Sequence, residues 1–171
     1  FNNCTTQSVV TITQPPALTI TAQTQSILCF GSCSGAATVV ATGGNGSPYT
    51  ATWSPAGSGT VSSGLCANTY TVAITDASAC PISTVFTIAQ PSSITINIST
   101  TSLTCNSVCN GAINFTTTGG ILPFATPTLI TPSGTIVASP PYNGLCAGGY
   151  TLIIKDASNC TQTNTLNIAQ P

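Results

Sequence analysis

The chain has 171 residues, of which 2% are charged: Asp76, Asp156 and Lys155 are the whole set, the formal net charge is −1, and His and Met are absent. A typical globular domain carries about 25% charged residues, so little charge repulsion keeps copies of this chain apart, and self-association or a polar coat such as glycan is expected. No basic patch can neutralise phosphates, which excludes electrostatically driven nucleic-acid binding, and no apolar run of about 18 residues offers a membrane span.

In chain order the expected elements are all strands. Residues 1–15 hold one, with Val10 and Ile12 at inward positions. Six more are predicted near 17–24, 35–42, 48–54, 58–63, 69–75 and 82–90. A second set is predicted near 93–100, 111–118, 124–131, 134–138, 149–155 and 162–169. The basis is a hydrophobic period of two rather than 3.6. Tyr70, Val72 and Ile74 alternate with Thr71, Ala73 and Thr75, and Tyr150, Leu152 and Ile154 keep the same phase. Threonine fills most outward positions, where its branched side chain suits an exposed strand face. Gly43-Gly44, Gly119-Gly120 and Pro140-Pro141 interrupt the strands, and no segment offers a capped amphipathic helix.

The two sets are copies of one another. GLCANTYTVAITDASAC (64–80) matches GLCAGGYTLIIKDASNC (144–160), and CFGSCSGAATVVATGG (29–44) matches CNSVCNGAINFTTTGG (105–120), giving a repeat of roughly 76–80 residues. The opening NNCTTQSVVTITQP aligns with the ends of both repeats. Residues 1–15 are therefore expected to be the last strand of a preceding repeat, or a donated strand. Residues 16–91 form repeat one and 92–171 repeat two. The boundaries fall at Gln14-Pro15, Gln90-Pro91 and Gln170-Pro171, where a proline that cannot donate to a ladder suits a strand leaving its sheet. Phe1 opens in polar sequence without a leader-like segment, so a mature product or a piece of a longer chain is expected. Six or seven short strands per repeat predict a small all-β sandwich, whose thin core would benefit from covalent staples.

Nine cysteines in such a chain indicate an oxidising, extracellular setting. Cys29 and Cys33 have C-x3-C spacing, but no second close pair within the same repeat and no His follow to complete a zinc site. In a sandwich, Cys29 and Cys33 lie in the turn between the first two strands, and Cys66 sits at the same end. Cys80 lies at the far end of the intervening strand, which at about 3.3 Å per residue holds it beyond the ~7 Å Cα separation that a disulfide tolerates. Cys66 is therefore expected to bond Cys33 or Cys29, and Cys146 to bond Cys109 or Cys105, with the later cysteine of each pair preferred. Cys160 is expected to bond Cys29 across the joint between repeats; the alternative closes all four cysteines of a repeat among themselves. Cys4, Cys80 and Cys105 remain as free thiols or as partners of cysteines outside the chain.

Little else carries chemistry. Asp76 and Asp156 both occur in Asp-Ala-Ser-x-Cys, which reads as a turn whose carboxylate accepts backbone N–H bonds; one carboxylate per repeat is thin for a calcium site. Without His and with one Lys, no nucleophile has a base beside it. No catalytic, metal or cofactor site is expected. Trp53, Tyr49 and Phe124 read as core aromatics, with a sugar-stacking platform as the sharper alternative. Asn3, Asn45, Asn97, Asn114 and Asn159 stand in Asn-x-Ser/Thr sequons and are candidate glycosylation sites.

The ordered set C-x3-C-x-G-x-A, T-G-G, Pro48-Tyr49, Trp53, GLCANTYTVAITDASAC and T-I-A-Q-P resembles the SprB repeat of very long bacterial surface adhesins, and the resemblance covers nearly the whole chain. The second repeat departs from it, with Thr128 or Leu129 at the Trp position and Phe124 in place of Tyr49. The resemblance implies tandem immunoglobulin-like or PKD-like β-sandwich domains, cell-surface display, and a role in adhesion or motility. Tyr70 and Tyr150 resemble the tyrosine corner of sandwich folds. The function expected is that of a structural or adhesive segment of an extracellular filament. Its partners would be neighbouring repeats or subunits head to tail, and glycans or surfaces. The alternative is a carbohydrate-binding or spacer module of a secreted multidomain protein.

Overall fold

The computed structural model describes residues 4–55, 57, 59–137 and 139–171, and no helix occurs among them. The strands of the first repeat are β1 (Thr19–Gln25), β2 (Gly35–Thr42), β3 (Thr50–Ser54), β4 (Val61–Leu65), β5 (Asn68–Thr75) and β6 (Pro81–Ile88). Those of the second are β7 (Thr95–Thr101), β8 (Gly111–Thr118), β9 (Thr128–Ile130), β10 (Ile136–Val137), β11 (Tyr142–Leu145), β12 (Gly148–Lys155) and β13 (Thr161–Ile168). Residues 4–15 form no strand, and Val9, Val10 and Ile12 are 93%, 80% and 93% exposed.

Each repeat builds two sheets. In the first, the orders are β1-β2-β4 and β3-β5-β6; in the second they are β7-β8-β11 and β10-β9-β12-β13. Alternation decides which faces are buried. In β5, Tyr70, Val72 and Ile74 turn inward, and in β12 Tyr150, Leu152 and Ile154 do the same. Both sheets of the second repeat feed one core: Ile113, Tyr142 and Leu145 come from one sheet, and Leu129, Leu152, Ile154 and Ile168 from the other. In the first repeat Val39, Val72 and Ile74 are buried together, with Ile20, Trp53, Ile82 and Phe86 packed against them.

Compactness divides the chain differently from the repeat motif. One unit comprises Phe1–Thr24, Ala36–Ser63 and Thr69–Thr87; the other comprises Gln25–Gly35, Gly64–Asn68 and Ile88–Pro171. The turns of the first repeat that carry Cys29, Cys33 and Cys66 thus belong to the second unit, which holds all three disulfides, whereas the turn that carries Cys80 belongs to the first.

Several strands differ from expectation. The segments predicted near 124–131 and 134–138 reduce to β9 and β10, a short hairpin in which Ile136 faces Ile130; Ala138 lies outside the described residues. The strand predicted at 58–63 is β4, displaced toward Leu65, and Ser58 is likewise outside the described residues. β11 at 142–145 was not expected. Its buried residues, Tyr142 and Leu145, are three apart because the register shifts between Asn143 and Leu145, around Gly144 at φ 67°. That bulge breaks the two-residue period on which strand recognition rests. β4 has the same pattern, with Ser62 and Leu65 buried and Gly64 at φ 70°.

Candidate functional site

Apart from Cys4, the cysteines lie in or beside the segments that connect strands. Cys33 precedes β2 and Cys66 follows β4, its neighbour in the sheet; the two are bonded, with Cα atoms 3.9 Å apart. Cys109 and Cys146 do the same for β8 and β11, at 4.0 Å. A third disulfide joins Cys29 to Cys160, with Cα atoms 5.5 Å apart and a sequence separation of 131. Cys4, Cys80 and Cys105 are free and exposed. The bonds constrain long loops, and such bonds stabilise chiefly by restricting the unfolded chain. Three disulfides point to an oxidising environment.

The two cysteine-presenting turns are built by hydrogen bonds. In the first type, residues 29–33 turn back on themselves: Ser32 N–H donates to Cys29 O (3.2 Å), and Gly31 sits at φ 75°. Gln90 Oε1 accepts from Gly31 N–H at 2.8 Å. In the equivalent turn at 105–109, Val108 N–H donates to Cys105 O (3.4 Å) and Ser107 sits at φ 63°.

The second type surrounds an aspartate. Asp156 Oδ1 accepts from Ser158 N–H and Cys160 N–H, both at 2.9 Å, and Oδ2 accepts from Ile121 N–H at 3.0 Å. Asp76 repeats this with Ser78 and Cys80 (2.9 Å each) and Asn45 (2.8 Å). Both carboxylates are buried. The Asn45 and Cys80 backbone N–H groups hold the Asp76 carboxyl below the usual carboxylate range. Burial pushes Asp156 upward, but the N–H groups of Ile121, Cys160 and Ser158 outweigh it and leave its carboxyl lowered as well. These carboxylates hold loops. Among the described residues, no three His, Cys, Asp or Glu side chains group as a metal site would require.

The aromatic candidates pack against core residues. Trp53 is half-buried, donates Nε1–H to Gly59 O (2.8 Å) and meets Phe86 edge-on with centroids 5.6 Å apart. Tyr49 donates its hydroxyl to Gly43 O at 2.8 Å and packs against the same core, and Phe124 packs against the core of the second repeat. The Tyr150 hydroxyl donates to Cys146 O at 2.9 Å, which anchors the segment entering β12. The sequon residues Asn45, Asn97, Asn114 and Asn159 are exposed, and Asn3 lies outside the described residues. Asn97 and Asn114 lie on paired strands, opposite Thr116 and Ser99 respectively.

Two features escaped sequence reasoning. Gln90 reads from the sequence as a boundary marker, yet its side chain secures the Cys29 turn. Its recurrence at Gln14 and Gln170 was the available signal. Phe30 stands exposed beside the Cys29–Cys160 bond, and a shallow pocket there is also lined by Pro91, Ile94, Asp156 and Asn159.

Compared with protein-family models and with curated proteins, the chain matches none.

Proposed function

We propose that this chain is a structural, adhesive-type segment of an extracellular surface filament made of tandem immunoglobulin-like repeats, with no catalytic role. The observation that carries the reading is the Cys29–Cys160 disulfide, which ties the first turn of one repeat to the last turn of the next. A bond of this kind resists extension along the chain and contributes nothing to a reaction.

The strand orders support the immunoglobulin-like assignment. Labelled by the usual scheme, β1, β2 and β4 correspond to A, B and E, and β3, β5 and β6 to C, F and G. β10 then corresponds to the C′ strand that some members add beside C. The resemblance to SprB repeats agrees with surface display, as does a surface nearly free of charge that carries four exposed sequons. Ile88 and Ile168 are 1% exposed, while Ile12, at the same place in the motif, is 93% exposed. An apolar strand sequence left unpaired invites a sheet from a neighbouring repeat. Contacts between successive units alone would make the assembly quasi-one-dimensional.

Electron microscopy and light scattering of the oxidised native material test the reading. Linear particles of many repeats are expected; a monodisperse, monomeric particle of 17.1 kDa at high concentration would refute it.

A further inference from the structure

We infer that Cys80 and Cys105 are the two halves of a second inter-repeat disulfide, each shaped to bond an equivalent repeat adjoining this pair. The inference deepens the filament reading and rests on it for the identity of the partner: another repeat of this same type.

The argument starts from the bond that is already closed. Cys29 belongs to the C-x3-C turn and Cys160 to the Asp-Ala-Ser-x-Cys turn, and they are joined. By the repeat alignment, Cys105 is the counterpart of Cys29, and Cys80 is the counterpart of Cys160; Cys4 is a third member of the Cys160 class. The three free, exposed thiols are therefore the unmatched members of a pairing that the chain displays once in finished form.

The unmatched turns are already folded as the matched ones are. Around Cys80, Asp76 accepts from Ser78 and Cys80 at the distances that Asp156 uses around Cys160, 2.9 Å in all four cases. Ala79 N–H donates to Asp76 O (2.9 Å) as Asn159 N–H does to Asp156 O (3.0 Å), and these residues share φ values of 61° and 63°. Around Cys105, the Val108-to-Cys105 hydrogen bond and the positive φ of Ser107 reproduce the Cys29 turn. Pre-folded turns lower the ordering cost of forming the joint.

The chemistry needs an oxidant, and a small-molecule disulfide such as oxidised glutathione suffices. One protein thiolate attacks it, releasing one glutathione thiolate and leaving a mixed disulfide. The second protein thiolate attacks that mixed disulfide and releases the other glutathione. Two protein thiols become one disulfide, and one oxidised glutathione becomes two reduced ones. The rule predicted is heterologous: a cysteine of the Cys80 class bonds one of the Cys105 class, never its own kind, which propagates a chain instead of closing a dimer.

Complementing variants of the full 171-residue chain test this. In a Cys4→Ser background, one variant carries Cys80→Ser and the other Cys105→Ser, and both are incubated in glutathione redox buffer. Each alone is expected to stay monomeric on a non-reducing gel. Their mixture is expected to yield a dimer whose digest contains a Cys80–Cys105 cystine peptide, and Cys4→Ser alone should give a ladder. Dimers of equal yield in the separate variants, or no dimer in the mixture, would overturn the inference. The variant lacking all three free cysteines separates the two readings. If it still forms linear fibres while the mixture does not cross-link, the filament reading stands and the disulfide joint falls. If neither occurs, both fall.

Discussion

Asp76 and Asp156 contribute most of the pH dependence that this chain can have. Apart from Lys155 and the termini, no other side chain is charged at neutral pH. Both carboxyls titrate below their ordinary range because backbone N–H groups bind the ionised form. The unfolded chain therefore takes up protons first. The stabilisation is intact above the unfolded carboxyl value of about 3.9 and declines as pH falls through the lower folded value. Burial raises the Tyr142 and Tyr150 hydroxyls; by the opposite sign, their stabilisation holds below about 10 and is lost above it. The denaturation midpoint is expected to be flat from about pH 5 to about 9 and to fall on either side. Asp76→Asn with Asp156→Asn should lower the plateau and flatten the acid limb, as chemical denaturation across pH would record.

Glycine carries a second residue-scale constraint. A Cβ on Gly111 would lie 2.8 Å from Ile168 Cγ2 and 3.0 Å from Leu145 O, and one on Gly35 would lie 2.5 Å from Ile88 Cγ2 and 2.8 Å from Leu65 O. Gly111→Ala should cost about 1–3 kcal/mol, the usual penalty for overpacking, measured by urea denaturation. The motif C-x3-C-x-G was legible in the sequence, but the reason for its glycine was not. Two strands and the closing strand of the repeat converge on that point only in three dimensions.

At the scale of elements, legibility followed periodicity. β5 and β12 were readable because Tyr-x-Val/Leu-x-Ile keeps strict alternation and all six inward residues are buried. β11 was not, because its bulge at Gly144 spaces Tyr142 and Leu145 by three. The double proline before it also reads as a break. The turns at Asp76 and Asp156 were legible from composition, since Asp-Ala-Ser offers a short acceptor to nearby N–H groups. Their use in orienting Cys80 and Cys160 was not, because it depends on loops contributed by Asn45 and Ile121. The disulfide at the β8–β11 end has a comparable local role. Replacing Cys109 and Cys146 by Ser releases a loop closed over a separation of 37 residues, a cost of about 3–4 kcal/mol in the chain-entropy account. The expected result is a thermal midpoint lowered by many degrees, with the strand content by circular dichroism retained at low temperature. Tyr150→Phe, which removes only the bond to Cys146 O, should cost about 1 kcal/mol.

On the scale of the whole molecule, the chain spends its chemistry on connection. Its cysteines close sheet ends, bind one repeat to the next and leave three thiols exposed. Apart from the exposed Phe30, its described aromatics pack in or against the cores. On the filament reading proposed above, the folded residues should be shielded from a pulling force, and the Cys29–Cys160 bond would do so by bypassing the residues between those two cysteines. The most direct measurement is single-molecule extension between the two termini, with and without reductant. At ~3.5 Å per extended residue, the separation of 131 amounts to about 460 Å of contour length. The oxidised chain is predicted to withhold that length at forces that unfold domains, releasing only its flanks, and to yield it once reductant is added. Full extension of the oxidised chain, with no change on reduction, would contradict the account.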